Sequence, residues 1–140
     1  MIEIRLPYPP SVNHYWIKRK GRKGLCLSER AKVFRSLVAV QALKFLTAHK
    51  EIRDRDPVLR GNVELWMMVC PPDNRKRDFD NLLKATLDAL VHAGLIEDDS
   101  KIKKASIWMM AKDPEKQGYV DIMLDQLGDD YDAEVRRKDL

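Results

Sequence analysis

The sequence predicts an α+β fold, a small mixed β-sheet with two main helices in the order β-α-β-α-β-β. Three observations lead there. Stretches of period-two apolar alternation interleave with stretches of period three to four. Pro and Gly stand at the borders between them. The 140 residues suit one domain, large enough to bury about two thirds of its unfolded surface. With 44% apolar and 34% charged residues, the chain is neither disordered nor fibrous.

Ile2, Ile4 and Leu6 alternate with Glu3 and Arg5 as in a half-buried strand, which Pro7-Tyr-Pro-Pro10 ends because Pro supplies no ladder donor. Residues 11–27 have little periodicity and read as a basic, glycine-punctuated loop with nothing of the core in it. Ser28 caps a helix whose apolar positions Phe34, Leu37, Val38, Ala42, Phe45 and Leu46 recur at three and four, ending near His49. Beyond the polar connection from Asp54 to Gly61, Val63, Leu65, Met67 and Val69 take one face of a strand. Trp66 and Met68 take the other, which argues for a central position. A second helix presents Leu83, Leu87, Leu90 and Val91 and stops at Gly94. Ile102–Met110 and Tyr119–Leu124 are two further strands, joined by a polar turn. This organisation predicts a domain over residues 1–124 and an acidic, flexible, solvated tail over 125–140.

Net charge is +4, but the tail holds six acids and three bases, so the first 124 residues carry 23 bases against 16 acids. A polyanionic partner fits that balance. No apolar run approaches the about 20 residues of a bilayer span, and the charged N-terminus does not resemble a signal peptide. A cytoplasmic protein is expected. Cys26 and Cys70 belong to no zinc-type pair and are expected to be reduced, Cys70 in a core strand.

The most informative stretch is Arg75-Lys-Arg-Asp78-Phe-Asp80-Asn-Leu-Leu-Lys84, where a strand has ended and a helix begins. In an extended segment Asp78 and Asp80 point the same way, suited to sharing a cation, and Lys84 lies one helical turn beyond Asp80. The turn Glu97-Asp-Asp99 after the helix can deliver Asp98 or Asp99 to the same spot. Three carboxylates together repel one another unless a cation intervenes, and hard oxygen donors favour Mg²⁺ or Mn²⁺. Such an ion polarises a phosphate oxygen and lowers the pKa of a coordinated water, which suits phosphodiester hydrolysis. The ordinary roles of these residues are helix cap, surface ion pair and solvated turn. The basic run Lys18 to Lys23, preceded by Tyr15 and Trp16, is either a solvated turn or a nucleic-acid contact in which rings stack on bases. His14, His49 and His92 stand singly and read as structural. No phosphate-binding, dinucleotide or serine-hydrolase glycine motif occurs in the chain.

Three stretches, Pro7-Tyr-Pro-Pro-Ser-Val-Asn13-His-Tyr15, Arg77-Asp78-Phe-Asp80-Asn81-Leu-Leu-Lys84 and Ala93-Gly-Leu-Ile-Glu-Asp-Asp99, resemble in order and spacing the signatures of the RusA family of Holliday junction resolvases. The resemblance covers residues 2–124. It implies a homodimer that requires Mg²⁺ or Mn²⁺ and makes paired nicks in opposing strands of a four-way DNA junction. It implies Asp78, Asp80 and Asp99 as metal-binding carboxylates and Lys84 as a residue also needed for cleavage. By the same resemblance, Asn13, Tyr15, Lys18, Arg19, Lys20, Arg22, Lys23, Arg75, Lys76 and Arg77 hold the DNA. Phe79 departs from the family, where a smaller aliphatic residue is common, and the acidic tail is an addition. Two competing readings are a non-catalytic DNA-binding module, in which the acids only cap, and a broader nuclease cutting flaps and forks.

Overall fold

A computed structural model of the chain describes residues 1–11, 14–128 and 130–138. Four strands form the main sheet in the order β1-β6-β4-β5: β1 (Ile2–Pro7), β4 (Val63–Cys70), β5 (Ile102–Met109) and β6 (Tyr119–Gln126). β6 runs antiparallel to both neighbours, while β4 and β5 are parallel. A parallel pair needs a crossover, and helix α3 (Phe79–His92) supplies it. Helix α1 (Glu29–Ala48) packs on β1 and on α3. β2 (Trp16–Lys18) and β3 (Leu25–Leu27) make a separate two-stranded hairpin, and α2 (Lys50–Arg53) and α4 (Tyr131–Arg137) are short.

The strand alternation sets the core. Ile2, Ile4 and Leu6, then Val63, Leu65, Met67 and Val69, then Val120, Ile122 and Leu124 are all buried, facing Phe34, Val38, Leu82 and Leu90 from the two helices. Ser28 caps α1 as expected, its hydroxyl accepting from the Ala31 amide at 3.1 Å, and the helix closes at His49. β4 is central, as its two apolar faces require. Both cysteines are free, and Cys70 closes β4 half-buried. No described helix is long and apolar enough to cross a membrane.

Several expectations are corrected. Residues 11–27 do reach the core: Tyr15 is 3% exposed, and the β2–β3 hairpin rises from it. Strands of three residues are too short to show a period, and within them Leu27 is partly buried against the core. The most buried face of α3 is Leu82, Ala85, Thr86, Ala89 and Leu90, with Leu83, Leu87 and Val91 at its margin. Small residues let the helix approach closely, and Thr86 escapes a desolvation penalty by donating its hydroxyl to the Leu82 carbonyl at 2.9 Å. On α1, Leu37 is exposed together with Val33, Val40 and Leu43, so the helix is apolar on two sides. β5 and β6 do not pair, because β4 lies between them. The segment expected as a solvated tail begins inside β6, which continues to Gln126, and then forms α4. Acids in the first turn of α4 and Arg136 and Arg137 in its last complement the helix dipole.

Candidate active site

The N-terminus of α3 carries the acidic pair. Asp78 is the N-cap residue, yet its side chain makes no capping hydrogen bond. Because the helix starts at Phe79, Asp80 lies in the first helical turn rather than in an extended segment, and the shared direction argued from period two does not apply. Lys84 stands one turn further along α3, as expected from its spacing. Asp99 opens a 3-10 turn over Asp99–Lys101 that follows α3. Lys84 and Asp99 line one cleft of about 320 Å³ with Tyr15, Trp16, Ala85 and Asp88. Asp78 lines a separate cleft with Lys76, Arg77 and Asn81, which shares no residue with the first, and Asp80 lines neither.

Asp78, Asp80, Lys84 and Asp99 are all exposed. Among the described residues, these three carboxylates accept no hydrogen bond and join no ion pair, and Lys84 also has no charged partner. Their neighbours are occupied. Glu97 accepts from the Gly61 amide at 2.9 Å. Asp98 accepts from the Ser100 amide at 3.1 Å and from the Ser100 hydroxyl, which holds its carboxyl below the usual carboxylate range. Of the three acids in that turn, Asp99 alone is left to face the cleft. Carboxylate oxygens free of other duties are the donor chemistry of a hard divalent cation. No three metal-binding side chains are gathered into one cluster among the described residues.

The basic residues divide. Lys18, Arg19, Lys20, Arg22 and Lys23 are all exposed around the hairpin tip, which the Arg19 amide closes onto the Gly24 carbonyl at 3.2 Å. Arg75 and Lys76 are exposed and line a larger cleft of about 820 Å³ with Arg30 and His14. Arg77 is turned inward instead: it pairs with Asp73 at 2.7 Å, donates to the carbonyls of Asp73 and Arg75 at 3.1 Å, and lies over the Tyr8 ring. That guanidinium shapes the loop rather than facing solvent. Tyr15 is equally withdrawn, its hydroxyl donating to Asp88, and the exposed ring beside it is Trp16 at 45%. Burial, then the bond to Asp88, pushes the Tyr15 phenol up to about 12. Asn13 lies outside the described residues.

A family model for endodeoxyribonuclease RusA matches residues 7–125. The chain belongs to the RusA family. It is 36% identical to the crossover junction endodeoxyribonuclease RusA of Enterobacteria phage HK97 over 98 residues, 69% of this chain and 72% of the relative. It is 33% identical to the protein of that name from Escherichia coli K12 over 127 residues, 91% of this chain and 96% of the relative. The homologue from Enterobacteria phage 82 is 32% identical over the same span.

Within this RusA-family site, sequence reasoning missed Asp88 and Arg35. Arg35 on α1 grips Asp88 on α3 through Nε at 2.7 Å and Nη2 at 2.8 Å. Part of the signal was legible, since Asp80, Lys84 and Asp88 recur every four residues and share a helix face. Arg35 came from a helix with no sequence link to the site.

Proposed function

We propose that this RusA-family endonuclease resolves four-way DNA junctions by paired symmetric nicks during recombination and repair, as a cytoplasmic homodimer that uses Mg²⁺ or Mn²⁺. Cleavage at crossover junctions follows from family membership, which also implies a divalent metal. The observation that carries the site assignment is the cleft shared by Lys84 and Asp99, two unpaired groups of opposite charge delivered by different elements. Asp80 stands one turn before Lys84, and Asp78 begins the same helix.

Asp78, Asp80 and Asp99 would hold the ion, which when bound polarises the scissile phosphate and lowers the pKa of the attacking water. Lys84 donates to a phosphate oxygen and offsets the charge that develops there. The exposed cations of the hairpin, with Arg75 and Lys76, hold flanking phosphates through salt-sensitive contacts. The first amides of α3, left uncapped by Asp78, point positive partial charge at the same region. A twofold dimer places two such sites on a substrate of the same approximate symmetry.

The test is cleavage of a synthetic immobile four-way junction and its matched linear duplex, with Mg²⁺ and with chelator, by wild type and Asp80→Asn. Metal-dependent nicks confined to the junction, lost in Asp80→Asn while junction binding persists, support the assignment. Wild-type cleavage by Asp80→Asn would overturn it. Tight binding without any cutting would favour the DNA-binding module.

A further inference from the structure

The spacing of α3 creates a problem for its own lysine. Asp88 is four residues beyond Lys84, close enough on a helix for the two side chains to pair, and both line the same cleft. A carboxylate one turn from a lysine in a partly sheltered cleft is a competitor for the ammonium. Lys84 has no charged partner among the described residues, with Asp80 one turn before it also unpaired, and both oxygens of Asp88 are taken. Arg35 makes a two-pronged contact with it, at 2.7 Å and 2.8 Å, and Tyr15 donates its buried hydroxyl to Oδ2. The planar guanidinium matches a carboxylate in a way a lone ammonium cannot, so Arg35 outcompetes Lys84 for this acid.

We propose that Arg35 is a positioning residue for the cleavage reaction. By occupying Asp88 it keeps that carboxylate from capturing Lys84, and so leaves the ammonium free for the phosphate. The inference rests on the role given to Lys84 above. Arg35 itself acts only through Asp88: it reaches the cleft from α1, its side chain is 22% exposed, and it is not among the residues that line the cleft. Tyr15 adds a second tie to the same acid, between the root of the basic hairpin and α3.

The experiment compares wild type, Arg35→Gln, the double variant Arg35→Gln/Asp88→Asn, Arg35→Lys and Lys84→Ala. Single-turnover cleavage of the junction is measured at saturating protein, well below each variant's unfolding temperature. Arg35→Gln releases Asp88 onto Lys84 and lowers the saturated rate about tenfold, the scale of one charge-assisted hydrogen bond withheld from the phosphate. The double variant removes the competitor's charge and recovers most of that loss. Arg35→Lys keeps a cation without the fork and falls between. In metal-free protein, reductive methylation of Lys84, followed by mass spectrometry, slows in Arg35→Gln and recovers in the double variant. If the pair serves only to hold α1 on α3, the double variant is no better than Arg35→Gln and Lys84 reactivity does not change. Either result overturns the inference. Wild-type cleavage by Lys84→Ala overturns instead the assignment of Lys84, so the two failures are distinguishable.

Discussion

Gly118 joins the fold to the site in a way that a single methyl group tests. It sits at φ +77, and a Cβ there would meet Pro72 Cδ at 2.9 Å, the Pro72 backbone nitrogen at 3.0 Å and the Tyr8 ring at 3.0 Å. The left-handed backbone alone costs an L-residue about 1–2 kcal/mol. Overpacking against a proline and backbone atoms, which cannot swing away, adds about 1–2 kcal/mol. Gly118→Ala is therefore expected to lose about 2–4 kcal/mol, which at roughly 3–4 °C per kcal/mol for a chain of this size lowers the unfolding temperature by about 6–16 °C. Gly94 is the control. It has φ +76 with nothing within 4 Å of its Cβ position, so Gly94→Ala carries only the backbone cost of about 1–2 kcal/mol. Thermal unfolding followed by circular dichroism measures both. Pro72 and Tyr8 border the loop that carries Lys76, Arg77 and Asp78, and Tyr8 lies beneath Arg77. Junction cleavage, at a temperature where both variants are folded, should therefore fall further in Gly118→Ala than in Gly94→Ala. Equal losses of unfolding temperature would refute the close-approach argument.

Two further predictions concern individual carboxylates. Asp113 accepts amide hydrogen bonds from Glu115, Gly118 and Gln117, which hold its carboxyl below the usual range. A depressed folded-state pKa stabilises the fold above the ordinary carboxylate value and loses that contribution as pH falls through the folded value. Asp113→Asn should thus unfold at a lower temperature than wild type at pH 7, with the gap closing below about pH 4; a gap that widened in acid would reverse the sign. In the acidic turn, Asp98→Ala should lower the unfolding temperature and keep most of the cleavage, because Asp98 ties down Ser100. Asp99→Asn should abolish cleavage with the unfolding temperature unchanged, and the opposite pairing of effects would exchange the two roles.

The sheet and both long helices were legible because each carries its own period. Ile2-Glu-Ile-Arg-Leu6 and the Val63–Val69 alternation report one or two buried faces directly. Strand order was not legible, since nothing local says that β6 inserts between β1 and β4. The exact face of α3 was missed for a related reason. Leucines dominate a hydrophobicity count, while the buried face also takes in the small residues Ala85, Thr86 and Ala89. At the candidate site, Asp78, Asp80 and Lys84 were singled out by their types and spacing, and Asp99 rather than Asp98 by the family resemblance. Arg77 and Tyr15 were assigned to DNA from the basic and aromatic character of their stretches and from the family resemblance, and the structure turns both inward. A guanidinium and a phenol are as useful for tying a loop as for holding a phosphate, and sequence does not distinguish the two uses.

The partners of the acids near α3 bear on the reading of the acidic pair as an ordinary helix cap, which Asp78 does not supply. Arg75, Lys76 and Arg77 immediately precede Asp78, so neutralising that acid locally would require no more than a side-chain rotation. The fold does otherwise. Arg77 is directed back to Asp73, four residues earlier, and Arg35 is brought from another helix to Asp88. Glu97 and Asp98 find backbone amides. Asp78 declines the cap its position offers, although an Asp at that position commonly contributes about 1 kcal/mol by capping. Asp78, Asp80 and Asp99 are left without partners among the described residues, as are Glu3, Glu51, Glu115, Asp132 and Glu134 on other parts of the surface. An unpaired carboxylate is what the proposed divalent-ion site requires of Asp78, Asp80 and Asp99, since a paired one would first have to give up its partner.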